Sequence, residues 1–209
     1  MRFFALDGSR GIGMATKGET TRQMIVAAAA PIFNQRGFEG TSMQDVMEAT
    51  GLEKGGLYRH FSGKEELAAE VFRYSLEQSV KLRTEHVDRA HGTIPLLKSL
   101  VKRFVEVPSS MPGGCPLMNT AIDSDDGNPT LRGLAHEALS DWRTRLIKII
   151  RDGIRDGEIK TGTVPRQIAN TIIASLEGAL MISRLDGNRI ALADARKCLE
   201  VLLDQMAAE

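Results

Sequence analysis

The sequence has little of what marks several protein classes. Its two cysteines, Cys115 and Cys198, are too few for a disulfide framework, so a reducing cytoplasm is the expected location. It contains no apolar run of about 18 residues, so we expect no membrane-spanning helix. Lysine plus arginine equals aspartate plus glutamate, 27 of each, so the net charge gives no sign of a nucleic-acid partner. A DNA-binding function must therefore rest on local charge and motifs.

Catalytic and metal-binding patterns are also scarce. The histidines are scattered without the spacing of metal ligands, and no nucleophile–base pair stands out. Residues 8–13, Gly-Ser-Arg-Gly-Ile-Gly, resemble the dinucleotide loop of the NAD(P)-dependent short-chain dehydrogenases. Such a loop follows a buried strand and opens a helix, whereas few residues precede this one and no parallel-sheet pattern follows. We therefore expect no enzyme activity, no cofactor and no metal ion.

The first 17 residues have no helical periodicity. Met14 is followed by Ala-Thr-Lys-Gly-Glu, which resembles a natural protein start. Residues 1–13 are then an extension upstream of the start or a loose arm, and a genuine short tail is the open alternative. We treat 1–17 as a flexible N-terminal arm or start-site extension.

From Thr20 onward, apolar residues recur at helical spacing and no stretch alternates as a strand would. The sequence therefore predicts an all-α fold. The first helix closes at Gly37, a short second helix follows, and the third covers 53–61. Further helices are predicted at 64–90, 94–107, 116–124, 129–156, 164–185 and 190–206, separated by glycine, proline and asparagine clusters.

The first three helices have the spacing of a helix-turn-helix. Either Thr41 with Gln44 or Ser42 with Asp45 can form the capping box that starts the second helix. Gly51 ends that helix, and the third follows after a short turn. Three short helices within about 45 residues, joined by a glycine turn, are typical of this DNA-binding motif.

The third helix has the properties needed to enter a DNA groove. Gly55 and Gly56 leave its start free of side chains, and Leu57 and Phe61 stand four residues apart as apolar anchors for its rear face. Donors for phosphate oxygens are present as well: Lys54, Tyr58, His60 and Lys64. From Lys54 to Lys64 there are three basic residues and no acidic one, which contrasts with the neutral chain.

In this order, these features resemble the DNA-binding region of the TetR family of regulators, from about Gly18 to Glu77. The matching features are the alanine-rich first helix with Phe33 and Gly37–Phe38, the Thr41–Ser42 start, Gly51, and the Leu57–Phe61 core with Lys64. The resemblance implies a helix-turn-helix head over 18–78 on a larger helical domain, 79–209, for ligand binding and dimerisation. It further implies a repressor that binds palindromic double-stranded operator DNA as a homodimer and is released by a small-molecule inducer.

The resemblance also implies which residues contact DNA. Thr41 and Ser42 would contact phosphates at the second helix, and Lys54, Gly55 and Gly56 would form the tip that enters the groove. Tyr58 and His60 would contact phosphates or base edges from the third helix. Lys64 would anchor a phosphate at the start of the fourth helix. Arg59 either reads guanine bidentately or extends into solvent. Glu53 departs from the small polar cap that is commoner in the family. It suits the helix dipole but would repel a nearby phosphate.

Two C-terminal helices carry apolar stripes that the resemblance assigns to a dimeric four-helix bundle. The first stripe is Val164, Ile168, Ile172, Leu176, Ala179 and Leu180, with small residues nearby at Ala174, Ser175 and Gly178. The second is Leu192, Leu199, Leu202, Leu203 and Met206. Alternatively, both stripes are only internal core. A dimer suits operator binding because its two heads would read half-sites about 34–36 Å apart, or a multiple of that distance.

Nothing in the sequence names an inducer, but six residues are candidates for lining its pocket, although each could be plain core: Phe104, Met111, Cys115, Met118, Trp142 and Met181. Pro116 fits the first position of a helix, which would put Cys115 at a helix N-terminus, where a thiolate is favoured. The alternative function is therefore a redox- or electrophile-responsive regulator acting through Cys115. Otherwise Cys115 is a small residue lining an apolar pocket. Cys198 is expected in the core.

Overall fold

The computed structural model describes residues 16–85, 87 and 92–208. In these ranges the chain is helical, and its only β-type pairing is an isolated antiparallel bridge between Ile159 and Ala207. The helices are α1 Lys17–Arg36, α2 Met43–Thr50, α3 Lys54–Tyr58, α4 Lys64–Thr84, α5 Thr93–Glu106, α6 Pro116–Asp123, α7 Pro129–Arg155, α8 Pro165–Leu185 and α9 Ile190–Met206. The predicted all-α class is confirmed.

Most predicted helix bounds agree closely with these. The bounds of α5 to α9 each differ from the prediction by no more than one residue. The third helix is shorter than the predicted 53–61, and the fourth ends at Thr84 rather than near 90. The predicted N-terminal arm up to residue 15, with its dehydrogenase-like stretch 8–13, lies outside the described residues.

Capping decides where α1 begins. The hydroxyl of Thr16 accepts a hydrogen bond from the backbone N–H of Glu19, and the carboxylate of Glu19 accepts one from the backbone N–H of Thr16. This reciprocal capping box starts α1 at Lys17, about one turn before the predicted start at Thr20. Gly37 closes the helix, as predicted, through its N–H to the carbonyl of Phe33.

The second helix is capped by one of the two predicted pairs. The backbone N–H of Asp45 donates to the hydroxyl of Ser42, while the Asp45 carboxylate accepts from the backbone N–H of Ser42 at 2.7 Å. Ser42 with Asp45, and not Thr41 with Gln44, is therefore the capping box. Gly51 ends α2 at φ 68°, a left-handed conformation that glycine adopts without steric cost.

The described residues form two compact units. The first contains residues up to 79 together with 109–138, and the second contains 80–108 and 139–208. Residues 109–138 thus pack with the N-terminal helices, although they were predicted to belong to the C-terminal domain. The functional division into 18–78 and 79–209 stays a prediction.

The core of the first unit joins α1 to the three helices that follow it. Its central side chains are fully or almost fully buried: Ile25, Val46, Leu57, Phe61 and Leu67. One of them comes from each of α1, α2, α3 and α4, and Phe61 comes from the turn after α3. Burying one such side chain contributes about 1.5–3 kcal/mol, so this shared core fixes the rear face of α3.

The second unit buries much of the two stripes that were predicted to form the dimer interface. The buried members pack with α5 and α7 in one internal cluster: Ile172, Leu176, Ala179, Leu192, Leu199, Leu203 and Met206. For these residues the assignment to a dimer interface is wrong, because opposite faces of the same helices point outward. The apolar residues that are exposed there are Val164, Met181, Ile182, Leu185, Ile190 and Val201. Cys198 is also exposed, so its predicted core position is wrong.

Among the described helices, α8 alone is long and apolar enough to span a membrane by length and composition. A core helix of a soluble protein passes the same test. One face of α8 is packed in the internal cluster through Ile172 and Leu176. We therefore interpret its high hydropathy as a helix with two apolar faces, one buried in the chain and one exposed.

Candidate nucleic-acid interface

The third helix has one buried face and one open face. Leu57 and Phe61 are buried in the core of the first unit, as predicted. Lys54, Gly55, Tyr58 and Arg59 are exposed on the other side. The exposed fraction of Tyr58 is 43%, so its ring and hydroxyl are accessible from solvent. The predicted tip and its neighbours thus share one accessible surface.

Packing among the residues that the structure describes does not require the two glycines of α3. A Cβ atom at Gly55 would have no neighbour within 4 Å, and one at Gly56 would meet only the side chain of Leu52, at 3.7 Å. Neither glycine has a positive φ. Since glycine costs about 1 kcal/mol relative to alanine inside a helix, the fold itself gives no reason for this pair. A close approach by another molecule would.

The basic side chains of this surface have no carboxylate partner among the described residues: Lys54, Arg59 and Lys64. The ammonium of Lys54 lies 5.9 Å from the ring centre of Tyr58, and that of Lys64 lies 4.2 Å from the ring centre of Phe38. Aromatic faces orient these cations without neutralising them. The local positive charge is therefore available to an anionic partner.

The start of α2 agrees only partly with the predicted phosphate contacts. Ser42 is exposed, although its hydroxyl also donates to the Asp45 carboxylate. Thr41 is only 1% exposed, and its hydroxyl donates to the carbonyl of Gly37 at 2.8 Å. A phosphate contact from the Thr41 side chain does not fit this burial, so Thr41 is a structural residue that fixes the α1–α2 turn.

His60 lies half-buried in the turn after α3. Its backbone carbonyl accepts a hydrogen bond from the guanidinium of Arg22 on α1. Sequence reasoning missed Arg22, because the residue is 38 positions away and belongs to no motif. Its two carboxylate partners, Glu66 and Glu70, lie on α4.

Sequence reasoning also missed a polar anchor between α1 and the segment before α6. The side-chain amide of Asn34, which is buried, donates to the carbonyls of Pro112 and Gly114 at 2.7 and 3.2 Å. The amide of Asn119 in turn donates to the backbone carbonyl of Asn34 at 3.0 Å. Close by, the Asp123 carboxylate accepts from the backbone N–H of Phe38 at 2.6 Å. Short α6 is thus hydrogen-bonded to the helix-turn-helix.

The six predicted pocket residues are divided between the two units. Phe104 and Trp142 come together, with ring centres 5.9 Å apart and planes at 15°. Met181 is exposed on the outer face of α8, which does not fit a role in lining a pocket. Cys115 is buried at the N-cap of α6, and Pro116 occupies the first turn as predicted. Met111 packs against the core of the first unit, and Met118 is half-buried on α6.

A cleft in the first unit lies between α1, α4, α6 and the start of α7. Its lining includes Phe33, Phe72, Asn119 and Leu131, and none of the six predicted pocket residues. Among the described residues there is no cluster of three or more histidine, cysteine or acidic side chains that could hold a metal ion.

Known proteins match the chain over both units. Residues 25–71 match the family described as bacterial regulatory proteins, tetR family, and residues 93–199 match the tetracyclin repressor-like C-terminal domain. The solved structure of a TetR transcriptional regulator from Chloroflexus aurantiacus J-10-FL is 37% identical, with a TM-score of 0.86, over 92% of this chain and 98% of that one.

Two further transcriptional regulators are similar to the chain. A TetR-family regulator from Cytophaga hutchinsonii is 34% identical, with a TM-score of 0.87, over 94% of this chain and 100% of that one. The HTH-type transcriptional repressor DhaR of Mycobacterium sp. (strain GP1) is 26% identical over 80% of this chain and 84% of its own length. With both family models matched and relatives above 30% identity along nearly its whole length, the chain belongs to the TetR family of helix-turn-helix transcriptional regulators.

Proposed function

We propose that the protein is a cytoplasmic repressor that binds a palindromic operator as a homodimer and is released by a small-molecule inducer. The observation that carries the DNA-binding part is the open face of α3. It combines two glycines that packing does not require with cations that have no carboxylate partner among the described residues. A helix that binds in the major groove needs a start without bulky side chains and positive charge near the phosphates.

Within this proposal, the contacts divide into two groups. Gly55 and Gly56 allow the start of α3 to approach the base edges, where Arg59 can read guanine. The phosphate contacts come from donors around that tip: Ser42, Lys54, Tyr58, His60 and Lys64. Phosphate contacts set the orientation of the head on DNA and make binding depend on salt.

The exposed apolar residues of α8 and α9 support the dimer. Ile182, Leu185 and Val201 are large apolar side chains that the chain itself leaves in solvent. A Cβ atom at Gly178 would meet nothing within 4 Å, so a helix of a second copy could approach α8 closely there. A four-helix bundle with a second copy would cover this face. It would also hold two heads at the spacing of two half-sites.

Release by an inducer needs a physical connection between an effector site and the head. The hydrogen bonds from Asn34 and Asn119 tie α1 to the segment before α6 and to α6 itself. We propose that an inducer favours a conformation in which this segment holds the heads at the wrong spacing, a shift in population between two states. The stacked pair Phe104 and Trp142 is the part of the predicted pocket that the geometry supports best.

A thiol-responsive regulator is the second candidate. The observation in its favour is that Cys115 occupies the N-cap position of α6, next in sequence to Gly114, whose carbonyl accepts from Asn34. A helix N-terminus favours the thiolate. Burial of Cys115 works against rapid reaction, so inducer binding remains our main proposal. Cys115→Ser should leave induction by oxidants or electrophiles unchanged if this second candidate is wrong.

The test is binding of the purified protein to the DNA that flanks its own gene, at low and at physiological salt. We expect binding that survives physiological salt and is lost in the variant Lys54→Ala/Tyr58→Ala. Lys148→Ala, which removes an exposed lysine of α7 in the second unit, is the matched control and should bind as the wild type does. Binding that vanishes at physiological salt, or that is equal in all three proteins, would mean only electrostatic contact and would contradict the proposal.

A further inference from the structure

The third helix has few means of holding its own position. It contains five residues, two of them glycine, and its N-cap residue Glu53 forms no side-chain capping hydrogen bond. Isolated helices of this length are not stable in water. Its rear face is held by Leu57 and, after the helix, by Phe61. Apolar packing is non-directional, so a directional hydrogen bond at the end of α3 would define its orientation more sharply.

The guanidinium of Arg22 supplies that interaction. It donates to the backbone carbonyl of His60, which follows Arg59, the C-cap residue of α3. It also lies 4.0 Å from the ring centre of Phe61, and Phe61 is itself buried. Arg22 thus contacts two successive residues at the exit of α3 while its own backbone is part of α1.

Two glutamates of α4 hold Arg22 in place. Its Nη2 atom is 2.7 Å from a carboxylate oxygen of Glu66 and 2.7 Å from one of Glu70, and its Nε atom donates to Glu70 at 3.1 Å. Glu66 continues the network, because its second oxygen accepts from the backbone N–H and the hydroxyl of Ser62 at 2.8 and 2.7 Å. We name Arg22, Glu66 and Glu70 the Arg22 cluster.

The Arg22 cluster is not itself a phosphate site. Of the five N–H donors of a guanidinium, four are used by the carbonyl of His60 and the two carboxylates. One positive and two negative charges leave the cluster net negative, which repels phosphate. The hydrogen bonds from Arg22 and Ser62 hold the pKa of Glu66 far below its usual value, at about 2, so the carboxylate stays ionised at any physiological pH.

We propose that Arg22 is a positioning residue for operator recognition: together with Glu66 and Glu70 it fixes the orientation of α3 and thereby sets specific affinity without touching DNA. The inference rests on the proposed DNA-binding function. Specific binding needs side chains aimed at base edges, whereas non-specific binding needs only charge near phosphates. Loss of the Arg22 cluster should therefore reduce the first much more than the second.

The test compares Arg22→Met with a matched control, Arg196→Met. Arg196 in α9 also binds two glutamates, Glu106 and Glu200, at 2.6 and 2.7 Å, and its side chain has the same exposed fraction as that of Arg22, 29%. Both substitutions keep the apolar stem and remove the guanidinium. Affinities for the operator and for unrelated DNA of equal length are measured at a temperature where each protein is folded by circular dichroism.

We expect Arg22→Met to weaken operator binding about tenfold or more, equivalent to about 1.4 kcal/mol, and to change non-specific binding less than about twofold. Arg196→Met should change neither affinity. Folded Arg22→Met with wild-type operator affinity would overturn the proposal, and so would an equal loss of both affinities. If Arg22→Met does not fold, Arg22→Lys keeps the charge but not the planar fork and should give the same selective loss.

A measurement without DNA separates this proposal from the proposed function. In Arg22→Met, backbone amide hydrogens from Leu57 to Ser62 should exchange at least about tenfold faster than in the wild type, because the exit of α3 is released. Those of α1 should change little. If the wild-type protein itself binds no operator, the proposed function fails, while unchanged exchange in this segment would overturn the positioning role on its own.

Discussion

The two compact units expose opposite kinds of side chain. The first unit leaves cations and two glycines at the surface of α3, over a core that includes Leu57. The second leaves large apolar side chains such as Ile182 and Leu185 at the surface of α8. An exposed cation without a partner suits a polyanion, and an exposed apolar stripe suits another apolar surface. One chain thus carries two surfaces that need different partners.

The largest effect is expected from a substitution in the core beneath the exposed face of α3. Leu57→Ala should lower the free energy of unfolding of the first unit by about 2–5 kcal/mol, because it leaves a cavity at a fully buried site. Chemical denaturation followed by circular dichroism measures the loss. Tyr58→Ala, on the open face of the same helix, should cost much less, and equal losses would mean that α3 has no buried face.

A charge placed on the exposed apolar face of α8 tests the second surface. Ile182→Asp should weaken the proposed dimer by about 2 kcal/mol or more, the range of interface hot spots, because a carboxylate would be buried against a second copy. Sedimentation velocity across a concentration series measures the dissociation constant. Ile122→Asp is the matched control, since Ile122 is more exposed than Ile182, at 69% against 45%, but lies on α6. A dimer equally stable in both variants would argue against the α8 face.

A substitution in the tip of α3 should separate stability from binding. Gly55→Ala should stabilise the fold by up to about 0.5–1 kcal/mol, because alanine is the better helix former and its Cβ meets no neighbour. Operator affinity should fall, because that Cβ would point into the groove. Gly133→Ala in α7, where a Cβ also meets nothing, should leave affinity unchanged. Wild-type operator affinity in Gly55→Ala would show that the glycines do not approach DNA.

The smallest effect concerns pH. Hydrogen bonds with Arg22 and Ser62 lower the pKa of Glu66 from its usual value of 4.5 to about 2. A carboxyl with a lowered pKa stabilises the fold above its unfolded pKa, and that stability is lost as the pH falls through the folded pKa. Thermal melting from pH 7 to pH 2.5 should therefore show the advantage of the wild type over Glu66→Gln shrinking below about pH 4.5. A stability difference between the wild type and Glu66→Gln that does not change with pH would contradict the lowered pKa of Glu66.

Much of the local architecture could be predicted from the sequence. Periodicity and glycine or proline breaks located α5 to α9 to within one residue, because helical spacing and breakers act over a few residues. The buried anchors Leu57 and Phe61 could be identified for the same reason. Where two local signals competed, at Thr41 and Ser42, either could begin a capping box, and only the packing of Thr41 against the α1–α2 turn separates them.

The Arg22 cluster and the Asn34–Asn119 anchor could not be predicted in this way. Arg22 lies 44 residues from Glu66, and Asn34 lies 85 residues from Asn119. A hydrogen bond between such distant residues leaves no periodic trace in one sequence. Which apolar face of α8 is buried and which is exposed could not be predicted for a related reason. A helix with two apolar faces has the same composition whichever face turns inward.

The sequence by itself determined the bounds of α5 to α9 and the charged, glycine-marked tip of α3, since each depends on neighbours within about one or two turns. Tertiary structure alone decided that Ile172 lies in the core while Ile182 faces outward, that Thr41 is buried, and that Arg22 reaches the end of α3. The physical reason is that burial and long-range hydrogen bonds depend on which surfaces pack together, and packing is a property of the whole chain.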